Sequence, residues 1–98
     1  MLPLMAQFTT RVELHRATGE DYSNLHSAME YQGFSRTIRS DDGFIYILPT
    51  AKYDRTGDNL TRTQVLNDAR AAAASVATTF SVLVTEASAR TWIGLEKV

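Results

Sequence analysis

The sequence predicts an α+β domain in which two helices cover one face of an antiparallel sheet. Three observations support this prediction. Segments with alternating apolar and polar residues, typical of half-buried strands, lie near both ends of the chain. Two segments with helical spacing of apolar residues each follow a threonine that is suited to capping a helix. Between them, an Asp-Gly pair flanked by apolar residues indicates a hairpin.

Length and composition bound the class of protein. The chain has 98 residues, enough for one core, so a single domain over residues 1–98 is expected, with residues 1–5 as a disordered arm. The formal net charge of -1 supplies no overall field that would attract nucleic acid or anionic lipid. The absence of cysteine excludes disulfides and thiolate zinc sites. No apolar run is long enough to span a membrane and no signal peptide is evident, so a cytoplasmic protein is expected.

The first half of the chain predicts a strand, a helix and a strand. Residues 8–15 alternate strictly between apolar and polar side chains, which predicts the first strand. A helix over 19–32 follows, capped by the Thr18 hydroxyl, and Gly33 supplies the positive φ that ends it. A second strand is predicted over 35–40, just before the Asp-Gly turn.

The second half of the chain predicts a strand, a helix and a strand. The continuous apolar run over 44–48 is typical of a central, covered strand. Residues 51–59 are polar and contain a glycine, which indicates a loop. The Thr61 hydroxyl can cap a helix over 61–77, and alternation over 78–85 predicts the fourth strand.

Right-handed crossovers leave few topologies for this order of elements. The simplest is the ferredoxin-like βαββαβ fold, an antiparallel four-stranded sheet of order 4-1-3-2 with both helices on one face. The second strand would then lie at an edge, where an inward Arg36 would discourage pairing with another molecule and Arg39 would point to the open face. The rival interpretation is that one or both arginines bind an anionic partner. The apolar tail, residues 87–98, is expected to be docked or partly flexible, with part of it docking or adding a short strand.

No motif in the sequence is a strong catalytic signature. No glycine-rich phosphate loop and no metal-ligand spacing is present, so neither a cofactor nor a metal is expected. His15 and His26 are more typical of solvated surface residues than of general bases. The adjacent Asp41 and Asp42 are more typical of a turn than of a metal site.

The face of the sheet away from the helices is the predicted location of a binding surface. By strand parity it would display Arg11, Glu13, His15 and Arg39, with Arg16 at the strand end. An open sheet with arginines resembles the platform of single-stranded RNA binders, although the two central-strand aromatic residues of that signature are absent. The alternative interpretation is a solvated face on which Arg11 and Glu13 compensate each other.

Three stretches of the chain carry a resemblance to a known family. They are QFTTRVELHRATGEDYSNLHSAMEYQGFSRTIRSDDGFIYILPTAKYD, LTRTQVLNDARAAAA and FSVLVTEASARTW, which together extend over about residues 6–93. These stretches resemble the bacterial and prophage proteins grouped with the GhoS-type antitoxins of type V toxin–antitoxin systems. The resemblance implies a ferredoxin-like fold, similar to the Cas2-like nucleases, and an endoribonuclease that cuts the messenger RNA of a small membrane toxin. The aspartate that Cas2-like proteins place at the end of the first strand is absent here, where the strand ends Leu14-His15-Arg16.

Two functional hypotheses remain open from the sequence. If the protein binds and cuts messenger RNA, His15 is the candidate base for 2′-hydroxyl attack, and the candidate phosphate contacts are Arg11, Arg16, Arg36 and Arg39. The second hypothesis is a non-catalytic protein-interaction module or homodimeric modulator, with Trp92 and Ile93 at the centre of an exposed apolar patch.

Overall fold

A computed structural model describes residues 5–98 of the chain. The elements, in order, are β1 (Met5–Leu14), α1 (Gly19–Tyr31), β2 (Thr37–Arg39), β3 (Ile45–Ile47), β4 (Lys52–Asp58), α2 (Arg62–Ala74) and β5 (Phe80–Ala87). Of the expected N-terminal arm, residues 1–4 lie outside the described residues, and Met5 begins β1. Neither of the helices described has the length and hydropathy that crossing a bilayer requires.

The strands form two antiparallel sheets. The larger has the order β4-β1-β5, and the smaller is the β2-β3 hairpin. β1 is central in the larger sheet, since it pairs with β4 along one edge and with β5 along the other. The hairpin meets the larger sheet at a bridge between Ser35 and Asp54, which exchange two backbone hydrogen bonds of 2.8 and 2.7 Å.

The predicted α+β class, with two helices and antiparallel strands, is confirmed, but the assignment of the third strand is wrong. The run over 44–48 does not lie beside β1; its middle forms β3, which pairs with β2, and Phe44 and Ile45 are exposed. The strand beside β1 is β4, within the segment expected to be a loop. As a result the strands are divided into three and two, rather than forming one continuous four-stranded sheet.

β4 is a strand with few aliphatic residues, and its inward positions explain how it fits. Tyr53 is completely buried. The guanidinium of Arg55 lies 5.1 Å from the ring centroid of Phe34, and its Nη1 donates to Asp68 of α2 at 3.0 Å. Because these inward side chains are aromatic or charge-paired, the strand can pack one face against the core although its sequence looks polar.

Both helices begin where the sequence predicts, because a threonine caps each of them. Thr18 and Asp21 form a reciprocal capping box, with hydrogen bonds of 3.0 and 3.2 Å. The Thr61 hydroxyl accepts from the backbone N–H of Gln64 at 3.1 Å. Each cap satisfies donors that the first helical turn leaves unpaired. Gly33, at φ 94°, adopts a conformation that is cheap only for glycine as the chain leaves α1.

The two helices share one core with the even-numbered face of β1. Its fully buried members include Phe8 and Val12 of β1, Leu25 and Met29 of α1, and Val65, Ala69 and Ala73 of α2. The alanines allow α2 to approach the sheet closely. The odd-numbered residues of β1 point the other way, so one face of the larger sheet is left for a surface role.

Candidate nucleic-acid interface

The C-terminal segment, residues 88–98, leaves β5 and joins the hairpin on the far side of the sheet. The N–H of Ile47 donates to the carbonyl of Glu96, and the N–H of Val98 donates to that of Ile45, both at 2.9 Å. A bridge between Tyr46 and Lys97 lies between these bonds. The segment therefore pairs with the free side of β3.

Arg90 attaches the C-terminal segment to the larger sheet. Its Nη1 lies 2.8 Å from Asp54 Oδ1 and 3.2 Å from Thr9 Oγ1. Thr9 and Asp54 are directly opposite each other in the β1–β4 register, so both present their side chains on the face away from the helices. The Arg90 and Asp54 side chains are only 20% and 17% exposed, which makes this pair a well-shielded ionic contact.

A cleft of about 520 Å³ opens between the β2–β3 turn and the C-terminal segment. We call it the tail cleft; its walls carry Arg39, Tyr46, Arg90 and Trp92, with Asp41 and Asp42 at the turn. The rings of Tyr46 and Trp92 meet edge to face, with centroids 5.5 Å apart and planes inclined at 66°. The cleft therefore combines two guanidinium groups with two aromatic rings.

The turn that forms one wall is held by its own side chains. The Asp42 carboxylate accepts from the Ser40 hydroxyl, whose single proton is shared with the carbonyl of Phe44 at 3.2 Å. The hydrogen bond from Ser40 lowers the pKa of Asp42, with smaller contributions from backbone N–H groups and Lys97. The Asp42 carboxylate is therefore negatively charged at neutral pH, and it lies in the same turn that follows Arg39.

The structure divides the candidate RNA-binding and interaction residues among different surfaces. Arg39 and Trp92 line the tail cleft. Arg11 lies on the open face, paired with Glu13 at 3.2 Å, and both side chains are more than half exposed. Ile93, beside Trp92, is 96% exposed.

Arg36 does not share a surface with Arg11 and Arg39. It lies on the helix side, where its charge acts on His26 and Tyr53. Partial burial and then Arg36 lower the pKa of His26, against an opposing effect of Glu30. His26 Nδ1 and Tyr53 Oη are 2.6 Å apart and share a hydrogen bond, whose direction depends on the imidazole tautomer.

Burial of the Tyr53 hydroxyl makes the stability of the protein fall at alkaline pH. Burial raises the pKa of Tyr53 from 10.0 to about 12, so the folded state keeps a proton that the unfolded chain releases. The stabilisation is complete below pH 10 and is lost as the pH rises towards 12, by about 2–3 kcal/mol. Urea titrations of the wild type and of Tyr53→Phe at pH values from about 9 to about 12 cover the ordinary and the raised pKa of Tyr53. This loss of stability should appear only in the wild type. Parallel pH profiles for the two proteins would contradict the assignment.

His15 and Arg16 occupy a different cleft, of about 660 Å³, at the C-terminal end of β1. His15 Nε2 lies 3.0 Å from Ser81 Oγ, and both residues are exposed. Gln7, in the tail cleft, is eight residues earlier in the chain, which corresponds to about 26 Å along a strand. The candidate base is therefore remote from the paired aromatic rings.

Sequence reasoning missed Tyr46, Arg90 and Asp54 as parts of a site. The run over 44–48 is apolar throughout, so it has no alternation that would indicate which way Tyr46 points. Arg90 and Asp54 meet through a contact between residues 36 positions apart. No local pattern marks such a contact; the only available signal was that the tail is too apolar to be solvated throughout.

The fold and the site define an α+β protein with a mixed aromatic and arginine cleft beside its open sheet face. No group of histidine, aspartate and glutamate side chains suited to a metal ion occurs within residues 5–98. Comparison of the chain with family models, curated proteins and solved structures finds no match.

Proposed function

We propose that the protein binds single-stranded RNA in the tail cleft. The observation that carries this proposal is the convergence of Arg39 and Arg90 with the Tyr46–Trp92 ring pair in one cleft of about 520 Å³. Proteins that hold single strands combine cationic side chains for the phosphates with rings on which bases stack. Both components are present here, although the chain as a whole carries a formal charge of -1.

The aromatic pair supplies a stacking surface. Trp92 is fixed at one edge by Tyr46, which reduces the conformational freedom that its indole would lose on binding. Stacking of a base on such a ring is worth about 1–3 kcal/mol. Arg39 is exposed beside it and can contact a phosphate, whereas Arg90 is held by Asp54 and mainly shapes the cleft.

The acidic turn is expected to influence where the phosphates lie and which bases the cleft prefers. Asp41 and Asp42 repel phosphate, so the phosphates of a bound strand are expected to contact Arg39 and to avoid the tip of the turn. Carboxylates accept hydrogen bonds from exocyclic amino groups such as N4 of cytosine. Unpaired bases with such groups are therefore favoured over uracil.

We also propose that the two sheets are an interrupted form of the ferredoxin-like order 4-1-3-2. In that description β5, β1 and β4 are the fourth, first and third strands, and β2 joins β4 through the Ser35–Asp54 bridge. The resemblance to GhoS-type antitoxins supports a cytoplasmic, RNA-directed role for such a fold. Cleavage is not part of the proposal, since His15 lies far from the tail cleft.

A non-catalytic protein-interaction module is the second candidate. The observation that favours it is Ile93, which is 96% exposed next to the half-buried Trp92. Tryptophan is enriched at protein–protein hot spots, and the exposed Ile93 adds apolar area beside it. The two candidates differ in which substitution should weaken binding most. The RNA proposal expects Trp92→Ala to reduce RNA affinity, and the interaction module expects Ile93→Ala to disrupt binding.

The RNA proposal is tested by anisotropy of a labelled, unstructured RNA pool titrated with protein at two salt concentrations. Trp92→Ala is expected to weaken binding about tenfold through lost stacking. Arg39→Ala should weaken binding and reduce the salt slope by about one. Tyr31→Ala and Arg70→Ala are matched controls, because both residues are exposed on the helices, and they should bind as the wild type does.

Two outcomes would contradict the proposal: no binding at low salt, or equal affinities for Trp92→Ala and the wild type. Loss of binding in Ile93→Ala alone would instead favour an apolar interface. Incubation with RNA in EDTA and in divalent metal, beside His15→Ala, tests cleavage separately. Cleavage that disappears in this variant would assign the second cleft a catalytic role and extend the function beyond binding.

A further inference from the structure

β5 has an unpaired outer edge whose hydrogen-bonding groups can be identified. The N–H of His15 donates to the carbonyl of Thr79 at 3.1 Å, and the register keeps odd-numbered residues of β5 bonded to β1. The even-numbered residues therefore direct their N–H and C=O groups outward; they are Phe80, Val82, Val84 and Glu86. Within residues 5–98, no other strand pairs with this edge.

This edge lacks the features that usually prevent strand pairing. Over Phe80–Ala87 the only charged residue is Glu86, and there is no lysine, arginine or proline. β4, at the opposite side of the sheet, carries Lys52, Arg55 and two aspartates, and the bridge at Ser35 occupies part of its edge. The edge of β4 is therefore protected against pairing with another strand, whereas the edge of β5 is not.

The residues of β5 are nearly symmetric about Leu83. The order Ser81-Val82-Leu83-Val84-Thr85 reads almost the same in both directions. In an antiparallel pair of two copies centred on Leu83, each Val82 faces a Val84 and each Ser81 faces a Thr85. The same register pairs each Phe80 with a Glu86. The outward N–H and C=O groups of all four residues are then hydrogen-bonded to the second copy. A two-fold interface requires this kind of self-complementarity.

The centre of that register is itself apolar and exposed. Leu83 is 64% exposed on the open face, and it would lie directly opposite Leu83 of the second copy. Such a non-hydrogen-bonded pair has its Cα atoms about 4.5 Å apart, which is the closest approach in an antiparallel ladder. Pairing would therefore cover the exposed leucine of both copies at once.

We propose that the protein forms a homodimer by antiparallel pairing of β5 with β5, centred on Leu83. The result is one six-stranded sheet in the order β4-β1-β5-β5-β1-β4. Its open face is continuous, and the two tail clefts lie towards opposite ends. The dimer does not depend on RNA binding, so either proposal can fail without the other.

A disulfide test examines the register directly, because the chain has no cysteine of its own. Leu83→Cys is expected to form a symmetric intermolecular disulfide on mild oxidation, since disulfides need Cα atoms about 4.4–6.8 Å apart. Thr85→Cys is the matched control. Its two copies would be about 13 Å apart along the strands, so they should remain uncrosslinked on a non-reducing gel.

A charge test measures assembly without crosslinking. The wild type is expected to sediment at twice the 10.9 kDa chain mass, whereas Leu83→Glu and Leu83→Lys alone should each sediment as monomers. An equimolar mixture of these two variants should restore the dimer mass. A wild type that stays monomeric at millimolar concentration, equal crosslinking of Leu83→Cys and Thr85→Cys, or a mixture that remains monomeric would each overturn the proposal. Far-ultraviolet circular dichroism of each variant checks that it is folded.

Discussion

Replacing Tyr53 with alanine is expected to lower the free energy of unfolding by about 4 kcal/mol. Tyr53 is the largest of the fully buried side chains, and it faces Thr10 of β1 in the β1–β4 register. Its removal leaves a cavity in the core and also removes the hydroxyl that is hydrogen-bonded to His26. Both effects depend on residues 52–58 being a strand that packs under the helices.

Urea unfolding followed by circular dichroism measures this change, and two other variants serve as controls. Thr56→Ala, at an exposed position of the same strand, should change the free energy of unfolding by less than about 0.5 kcal/mol. Ile45→Ala, in the apolar run that the sequence places at the centre, should cost well under the value for Tyr53→Ala, because Ile45 is exposed. Equal costs for Ile45→Ala and Tyr53→Ala would mean that the central strand had been misassigned.

The pair of Arg90 and Asp54 is expected to contribute a coupling free energy of about 2 kcal/mol. The bond is 2.8 Å long, and both side chains are at least four-fifths buried, so water screens the interaction weakly. Loss of either partner leaves a shielded charge unpaired. It should also release the C-terminal segment and so reduce the affinity for RNA.

A double-mutant cycle with Arg90→Ala and Asp54→Ala measures this coupling, since it subtracts the effects that each residue has alone. The natural control is the cycle with Arg11→Ala and Glu13→Ala, a pair at 3.2 Å whose side chains are 55% and 56% exposed. Its coupling should be below about 0.5 kcal/mol, as is usual for surface pairs. If the two cycles gave similar values, Arg90 would not anchor the segment.

The elements that could be predicted from the sequence are those whose inward positions are aliphatic or alanine. β1, α1, α2 and β5 all show such a periodicity, and Thr18 and Thr61 mark where the helices begin. β4 could not be found in this way, because its burial depends on partners elsewhere in the chain. Arg55 is largely shielded because Asp68 and Phe34 receive it. The glycine at position 57 leaves room for Leu60, whose Cδ1 would lie 2.8 Å from a Cβ there.

The apolar run over 44–48 led to the opposite error, because it predicted a central strand where the structure has a strand of the β2–β3 hairpin. Its hydrophobicity serves the β2–β3 hairpin and the C-terminal segment instead of the main core. Lys97 lies 3.4 Å from the ring centroid of Phe44, and Tyr46 packs against Trp92. A local pattern reports that residues are apolar, but it does not report which partner covers them.

The candidate site was predictable only as separate residues. Arg39 and Trp92 each had a chemical reason to be singled out, but they were assigned to competing hypotheses. Their meeting in one cleft depends on the path of the C-terminal segment, which Arg90 and the pairing with β3 determine. Arg36 differs from Arg39 by strand parity, and this places its charge on the helix side.

The most direct test of the central claim uses the only tryptophan in the chain. In a two-dimensional ¹⁵N NMR titration with unstructured RNA, the indole N–H of Trp92 should shift progressively to saturation. The backbone amides of Arg39 and Tyr46 should shift with it, and added salt should reverse all three changes. Shifts confined to the cleft of His15 and Arg16, or an unchanged Trp92 signal at saturating RNA, would contradict the proposal that the tail cleft binds RNA.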